Sequence, residues 1–270
     1  MNQTVEQTDP SIDLFSAVVR PVIMGKYLQT FPKIEYSSGV EFCDPSYAVQ
    51  HNYFPHAPLP REDWRPCQPK DYLLTDDTVL DSPYSQVGVF SVPPSILKEI
   101  RFLNSRTTDP DAYAYLARSF ARYVIPRFNL LPSTYYSHGT AISRPGERTT
   151  TIDLDTMKRP GLHVDSWSAF ESELRFDSKI RFNLNFGPGL RAFLFASRGL
   201  SPSDGWDGSL PANAYYAFLR TFPATPIYRI ILEPGMAYIA ATECLIHDGT
   251  TSMEPTDISI NLQLRARLQR

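Results

Sequence analysis

Between residues 94 and 131 apolar side chains recur every three to four positions. VPPSILKEIRFLNSR sets Ile96, Leu97, Ile100 and Leu103 at helical spacing behind prolines that a first turn tolerates. DPDAYAYLARSFARYVI follows, with Tyr113, Leu116, Phe120 and Val124 down one face, and Pro126 is expected to end or kink it. From about residue 133 the period drops to two. TYYSHGTAIS, KIRFNLNFG, LRAFLFA, IYRIILEPGMAYIAATECLIH and DISINLQLRARL read as strands separated by the turns RPGE, GPG and EPG. No helical pattern alternates with them, so a parallel βαβ sheet is not expected. Residues 201–222 interrupt the strands with a loop-like first half and a short helix bearing Tyr215, Tyr216 and Phe218. Residues 1–85 carry the weakest pattern; within them CDPSYAVQHNYFPHAPLPREDWRPCQPKDY, with six prolines and several aromatics, reads as ordered loop on a surface, where His51 and His56 find no partner at metal spacing.

The alternation within the strands carries more than the element type. In DISINLQLRARL, Ile258, Ile260, Leu262, Leu264, Ala266 and Leu268 share one face, and Ser259, Asn261, Gln263, Arg265 and Arg267 the other. KIRFNLNFG repeats the split, with Ile180, Phe182, Leu184 and Phe186 against Arg181, Asn183 and Asn185. One outcome is an antiparallel sheet with a core face and a wet face. The other is a sheet whose apolar face is covered by the helices of residues 94–131 while its polar face lines a cavity. Those helices need a partner, which favours the cavity.

Composition then narrows the class. The chain has 270 residues, 42% hydrophobic and 13% aromatic, enough for a substantial core. Twenty-four prolines against thirteen glycines suit many short elements joined by rigid turns. A formal net charge of −3 without basic blocks argues against a nucleic-acid partner. No apolar run has the length of a membrane span, and MNQTVEQTDPSIDLF does not resemble a signal peptide. Cys43, Cys67 and Cys244 are too scattered for a disulfide framework or a CxxC knuckle. The expectation is a reduced, cytoplasmic protein.

The candidate chemistry starts at GLHVDSW, residues 161–167. On an extended backbone His163 and Asp165 project to one side, with Leu162 and Val164 to the other. A second imidazole, His247, stands far downstream in ATECLIHDGTT, after the EPG turn and a strand-like run. Two neutral nitrogens and one carboxylate on one triangular face leave open positions on a metal, a set that suits iron(II) over softer ions.

This order of features resembles the iron(II)/2-oxoglutarate-dependent oxygenases, without pointing to a subfamily. The resemblance covers residues 133–270. It implies a mainly β fold with α, a double-stranded β-helix or jelly roll, supported by N-terminal helices. Residues 1–132 would form the N-terminal loop and helical support. Residues 133–270 would form the catalytic core with a lid-like insertion at 201–222, all in one folded unit. The metal ligands, and with them the catalytic residues, would be His163, Asp165 and His247, and the cofactors Fe(II), 2-oxoglutarate and O2.

The cosubstrate's far carboxylate would meet a guanidinium fork, first Arg265, with Arg267 and Arg191 as competitors. Asn183 would bind its C1 carboxylate. Where many relatives carry Ser or Thr two residues after the arginine, this chain has Arg267. Related halogenases replace the ligand carboxylate with Gly or Ala. Keeping Asp165 therefore implies hydroxylation or another oxidation, coupled to decarboxylation of 2-oxoglutarate to succinate. Trp167, Trp206, Tyr215, Tyr216 and Phe218 would line or cover the pocket, and His138 would support the site or serve as an ordinary strand residue. The substrate would be a small molecule, a free or modified amino acid or an intermediate of specialised metabolism. The rivals are a non-catalytic jelly-roll or cupin-like binding module, a cosubstrate-independent metal dioxygenase, and a zinc hydrolase using Glu243 as base.

Overall fold

The computed structural model describes residues 14–24, 28, 30–75, 85–105, 110–166, 178–201, 213–253 and 257–269. Trp167, Trp206 and most of the first half of the 201–222 insertion lie outside them. The first strands are β1 (Ala17–Val18), β2 (Arg20–Met24), β3 (Ile34–Ser37), β4 (Val40–Phe42), β5 (Pro58–Pro60), β6 (Arg65–Pro66), β7 (Leu73–Thr75) and β8 (Gln86–Ser91). Then come β9 (Tyr136–Ser143), β10 (Ile180–Asn185), β11 (Arg191–Gly199), β12 (Ile227–Leu232), β13 (Met236–Ala240), β14 (Leu245–Thr250) and β15 (Ser259–Ala266). The helices are α1 (Pro45–His51), α2 (Pro94–Ser105), α3 (Pro110–Arg127) and α4 (Ala214–Thr221).

Two sheets form the body. The larger runs β7-β2-β8-β13-β10-β15-β9; the smaller runs β1-β11-β12-β3-β6, with β14 also on β11. They meet through Val87, Val89, Met236 and Tyr238 of one and Phe193, Phe195, Ile230 and Leu245 of the other. This is the expected jelly roll, mainly β with helices, its sheets open at their edges.

The helices sit where the alternation put them. Ile180, Phe182, Leu184, Phe186, Leu262 and Leu264 pack with Ile100, Leu116, Phe120 and Val124 in one buried cluster. Pro126 falls in the last turn of α3, which stops at Arg127, as expected for a ring that removes a helix hydrogen bond and crowds the preceding turn. The outer face of the smaller sheet is covered by α4 through Phe218 and Leu219 packed with Leu162, Leu194 and Ile246.

The N-terminal region departs from the loop reading. It supplies strands to both sheets, and β2 pairs in parallel with β8 and with β7. The physical reason is burial on both faces: Val22, Ile23, Met24, Val87, Val89 and Phe90 are all buried, so no alternation marks these strands. Short length and neighbouring prolines complete the disguise. Among the described residues no helix is long and apolar enough to cross a membrane.

Candidate metal centre

His247 lies in the middle of β14, opposite Phe195 of β11. His163 lies outside the regular strands, on an isolated antiparallel bridge to His247. The two residues exchange both backbone hydrogen bonds, at 3.0 and 2.8 Å, so the imidazoles sit side by side with ring centroids 4.8 Å apart. The entry to this segment depends on Gly161, at φ +75, where a Cβ would collide with the Pro58 carbonyl. Asp165 is pinned by its own N–H to the Thr242 carbonyl at 3.1 Å. As the alternation requires, Leu162 and Val164 turn the other way, into the cluster under α4.

His163, Asp165 and His247 are all buried, and one ligand atom from each lies within 4.8 Å of the others. His163 Nε2 is 3.5 Å from Asp165 Oδ1, and His247 Nε2 is 3.7 Å from Oδ2. The other ring nitrogens are committed: Nδ1 of His163 donates to the Gly161 carbonyl at 2.8 Å and Nδ1 of His247 to the Leu245 carbonyl at 2.9 Å. That arrangement fixes each ring and turns Nε2 inward. His247 Nε2 is buried without a hydrogen-bond partner. An ion ~2.1 Å from each donor would hold neighbouring donors roughly 3 Å apart, so the widest pair would have to close by somewhat under about 2 Å. The donor set fits a divalent metal. Among the described residues no other His, Cys, Asp or Glu group is drawn together in this way.

The charges around this cluster alternate. Burial pushes the His247 imidazole down to about 3. Burial acts the same way on His163, but Asp165 and Asp248 outweigh it and carry it up to about 10. Asp165, which burial alone would raise, is held well below the usual carboxylate range by Arg181, His247, His163 and Arg265. Without an ion the proton therefore resides on His163, and a cation entering the site displaces it.

Sequence reasoning passed over Asp248. Its Oδ2 lies 3.5 Å from His163 Nδ1, and its Oδ1 accepts from the N–H groups of Thr150, Thr151 and Gly249 and from the Thr151 hydroxyl. The signal was present in the HDG that contains the distal histidine, but nothing local says that Asp248 faces the other one.

Arg265 donates to Asp165 Oδ2 at 2.7 Å and approaches Glu243 at 3.4 Å. The same contact engages Glu243, the base that a zinc hydrolase would need. Arg267 lies past the end of β15, half-buried, with its backbone bonded to Thr134 and Leu131. Arg191, at the start of β11, is buried, and its Nε and Nη1 have no hydrogen-bond partner. Burial pushes its guanidinium pKa down. It reaches over Gly249, where a Cβ would collide with its Nη2 and with the Thr150 hydroxyl. Asn183 is buried on the same interior face with its Oδ1 unpartnered.

His51 stacks on Tyr47 with ring centroids 4.1 Å apart and takes no part in the centre. His138 lies on β9, its side chain outside the described residues.

No protein-family model matches this chain, and no curated protein matches its sequence. In shape it is similar to solved structures of the Kdo hydroxylase KdoO, described as a non-heme Fe(II) alphaketoglutarate dependent dioxygenase. The apo form aligns with a TM-score of 0.40 and 15% identity, over 69% of this chain and 81% of that one. The complex with alphaketoglutarate and Fe(III) gives the same values. The epimerase SnoN from nogalamycin biosynthesis, described as non-heme alpha ketoglutarate dependent, aligns with a TM-score of 0.30 and 11% identity, over 68% of this chain and 80% of that one.

Proposed function

We propose that this chain is a non-haem iron(II)- and 2-oxoglutarate-dependent oxygenase that hydroxylates or otherwise oxidises a small molecule. One observation carries the reading. Two imidazoles with their Nδ1–H groups already donated, and one carboxylate, turn their remaining donor atoms toward a single buried point. A ferrous ion held there by His163, Asp165 and His247 would supply dioxygen activation, three protein ligands leaving further positions on it for other ligands.

Charge balance favours a dianionic cosubstrate. Three buried guanidinium groups, Arg181, Arg191 and Arg265, face three buried carboxylates, Asp165, Asp248 and Glu243. The divalent ion adds two positive charges, and a dicarboxylate cancels them. We assign the far carboxylate to Arg191 rather than to Arg265, since the buried Arg191 keeps two nitrogens, Nε and Nη1, without a hydrogen-bond partner. Its place beside Gly249, two residues beyond His247, suits the reach of a five-carbon acid. Asn183 offers its amide to the same ligand. Phe193, Phe195 and Tyr238 are buried beside the cluster, with the Phe193 ring centroid 5.7 Å from that of His247.

The test is anaerobic reconstitution with iron(II) and 2-oxoglutarate, followed by turnover against pooled amino acids and metabolites. The expected result is a weak visible charge-transfer band, then succinate formed in step with loss of one pool member. Absence of both band and succinate from iron-loaded protein would leave a non-catalytic binding module.

A further inference from the structure

One carboxylate in this centre is held twice. Arg181 Nη2 and Arg265 Nη2 both donate to Asp165 Oδ2, at 2.6 and 2.7 Å. The two arginines stand directly opposite each other on β10 and β15. All three side chains are buried. Arg181 also bonds Tyr238, whose ring stacks on Phe193 with centroids 3.9 Å apart, and Arg265 leans on Glu243. The clamp is therefore fixed from both sides.

A single guanidinium neutralises a carboxylate, most often by meeting both of its oxygens. Here two like charges crowd one oxygen in a low-dielectric interior, which costs free energy that a purely structural pair would avoid. The arrangement leaves Oδ1 directed at His163 Nε2, 3.5 Å away.

We propose that Arg181 and Arg265 are positioning residues that reserve Asp165 Oδ2, so that Asp165 ligates the metal through Oδ1 alone. The inference rests on the metal reading above. A carboxylate chelating through both oxygens would take an extra place on an octahedral ion. Restricting it to one keeps that place for a chelating 2-oxo acid and a further small ligand. The two arginines thus act on how many positions stay open, through Asp165.

The experiment uses the full chain loaded with cobalt(II) as a visible-spectroscopic stand-in, comparing Arg181→Gln, Arg265→Gln and Arg181→Lys with the parent. Both glutamine variants are expected to keep cobalt affinity within roughly tenfold of the parent. Their visible band should change with the altered coordination. Their cobalt-loaded forms should bind 2-oxoglutarate roughly 10 to 100 times more weakly, about 1.4 to 2.8 kcal/mol. Arg181→Lys returns one donor to Oδ2 and should recover most of the parent band and affinity.

Glutamine variants with the parent's band and cosubstrate affinity would overturn the proposal. So would folded variants that no longer bind cobalt, because the arginines would then place the ligand rather than reserve an oxygen. Should Arg181→Gln fail to fold, Arg265→Gln decides by the same two readouts. A parent that binds neither cobalt nor iron overturns the metal reading itself, which separates the two failures.

Discussion

The two faces of β10 and β15 share one backbone and the same depth of burial, yet they do opposite work. On the outer face Phe182, Leu184, Leu262 and Leu264 lie against α2 and α3. On the inner face Arg181, Asn183, Asn185, Asn261 and Arg265 are also buried, although a wet sheet face would leave them exposed. The outer face is satisfied by contact alone. The inner face keeps groups without partners, Asn183 Oδ1 and both amide atoms of Asn261, as do His247 Nε2 and two nitrogens of Arg191 on the smaller sheet. Buried polar groups without a partner cost free energy. The outer face contributes apolar burial, and the inner face carries the polar groups beside the candidate metal centre.

The largest effect expected on the inner face is removal of the ligands. His163→Ala, Asp165→Ala and His247→Ala should each abolish iron-dependent succinate formation and iron retention, read by metal analysis and turnover; activity in all three would remove the site.

On the outer face Phe182→Ala should cost about 3–5 kcal/mol of stability, because a fully buried ring between Phe90 and Phe128 is replaced by a cavity. Denaturant titration checks this, and iron affinity per folded molecule should stay near the parent's. A large drop in that affinity would erase the division between faces.

Arg191→Gln should raise the 2-oxoglutarate requirement roughly a hundredfold, the equivalent of about 3 kcal/mol for a lost pair of charge-assisted bonds. Folding stability should hold or rise, since a buried guanidinium with two unpartnered nitrogens disappears. Steady-state kinetics and a melt read the two quantities separately; a large fall in the melting temperature with an unchanged requirement would return Arg191 to the scaffold.

Gly249→Ala should act in the same sense but more weakly, pushing the flexible end of Arg191 aside and raising the KM for 2-oxoglutarate several-fold, by about 1 kcal/mol, while kcat changes little. The smallest effect sharpens the contrast most. Asn183→Ala, one residue along from Phe182, should change stability by less than about 1 kcal/mol, because its Oδ1 has no partner to lose. A denaturant midpoint as low as that of Phe182→Ala would refute this.

Much of the site was legible locally. The HxD spacing, the strand leading to His247 and the alternation of β10 and β15 brought the three ligands and the polar lining into view. Asp248 and the role of Arg265 were not legible, because each depends on a contact across the sheets. Arg265 and Arg191 look alike as sequence: both are arginines on apolar strands. Only pairing with Asp165 and Glu243 distinguishes the first, and only the cleared space at Gly249 distinguishes the second.

By itself the sequence determined which residues alternate, where helices start and stop, and which donor types the chain owns. Those are properties of a few consecutive residues, set by the two-residue repeat of a strand and the 3.6-residue turn of a helix. Tertiary structure decided which strands pair, that Val22 to Met24 join the larger sheet in parallel, and which guanidinium meets Asp165 and which keeps two nitrogens without a partner. Those outcomes turn on Coulomb and hydrogen-bond partners drawn from distant parts of the chain, which local periodicity does not encode.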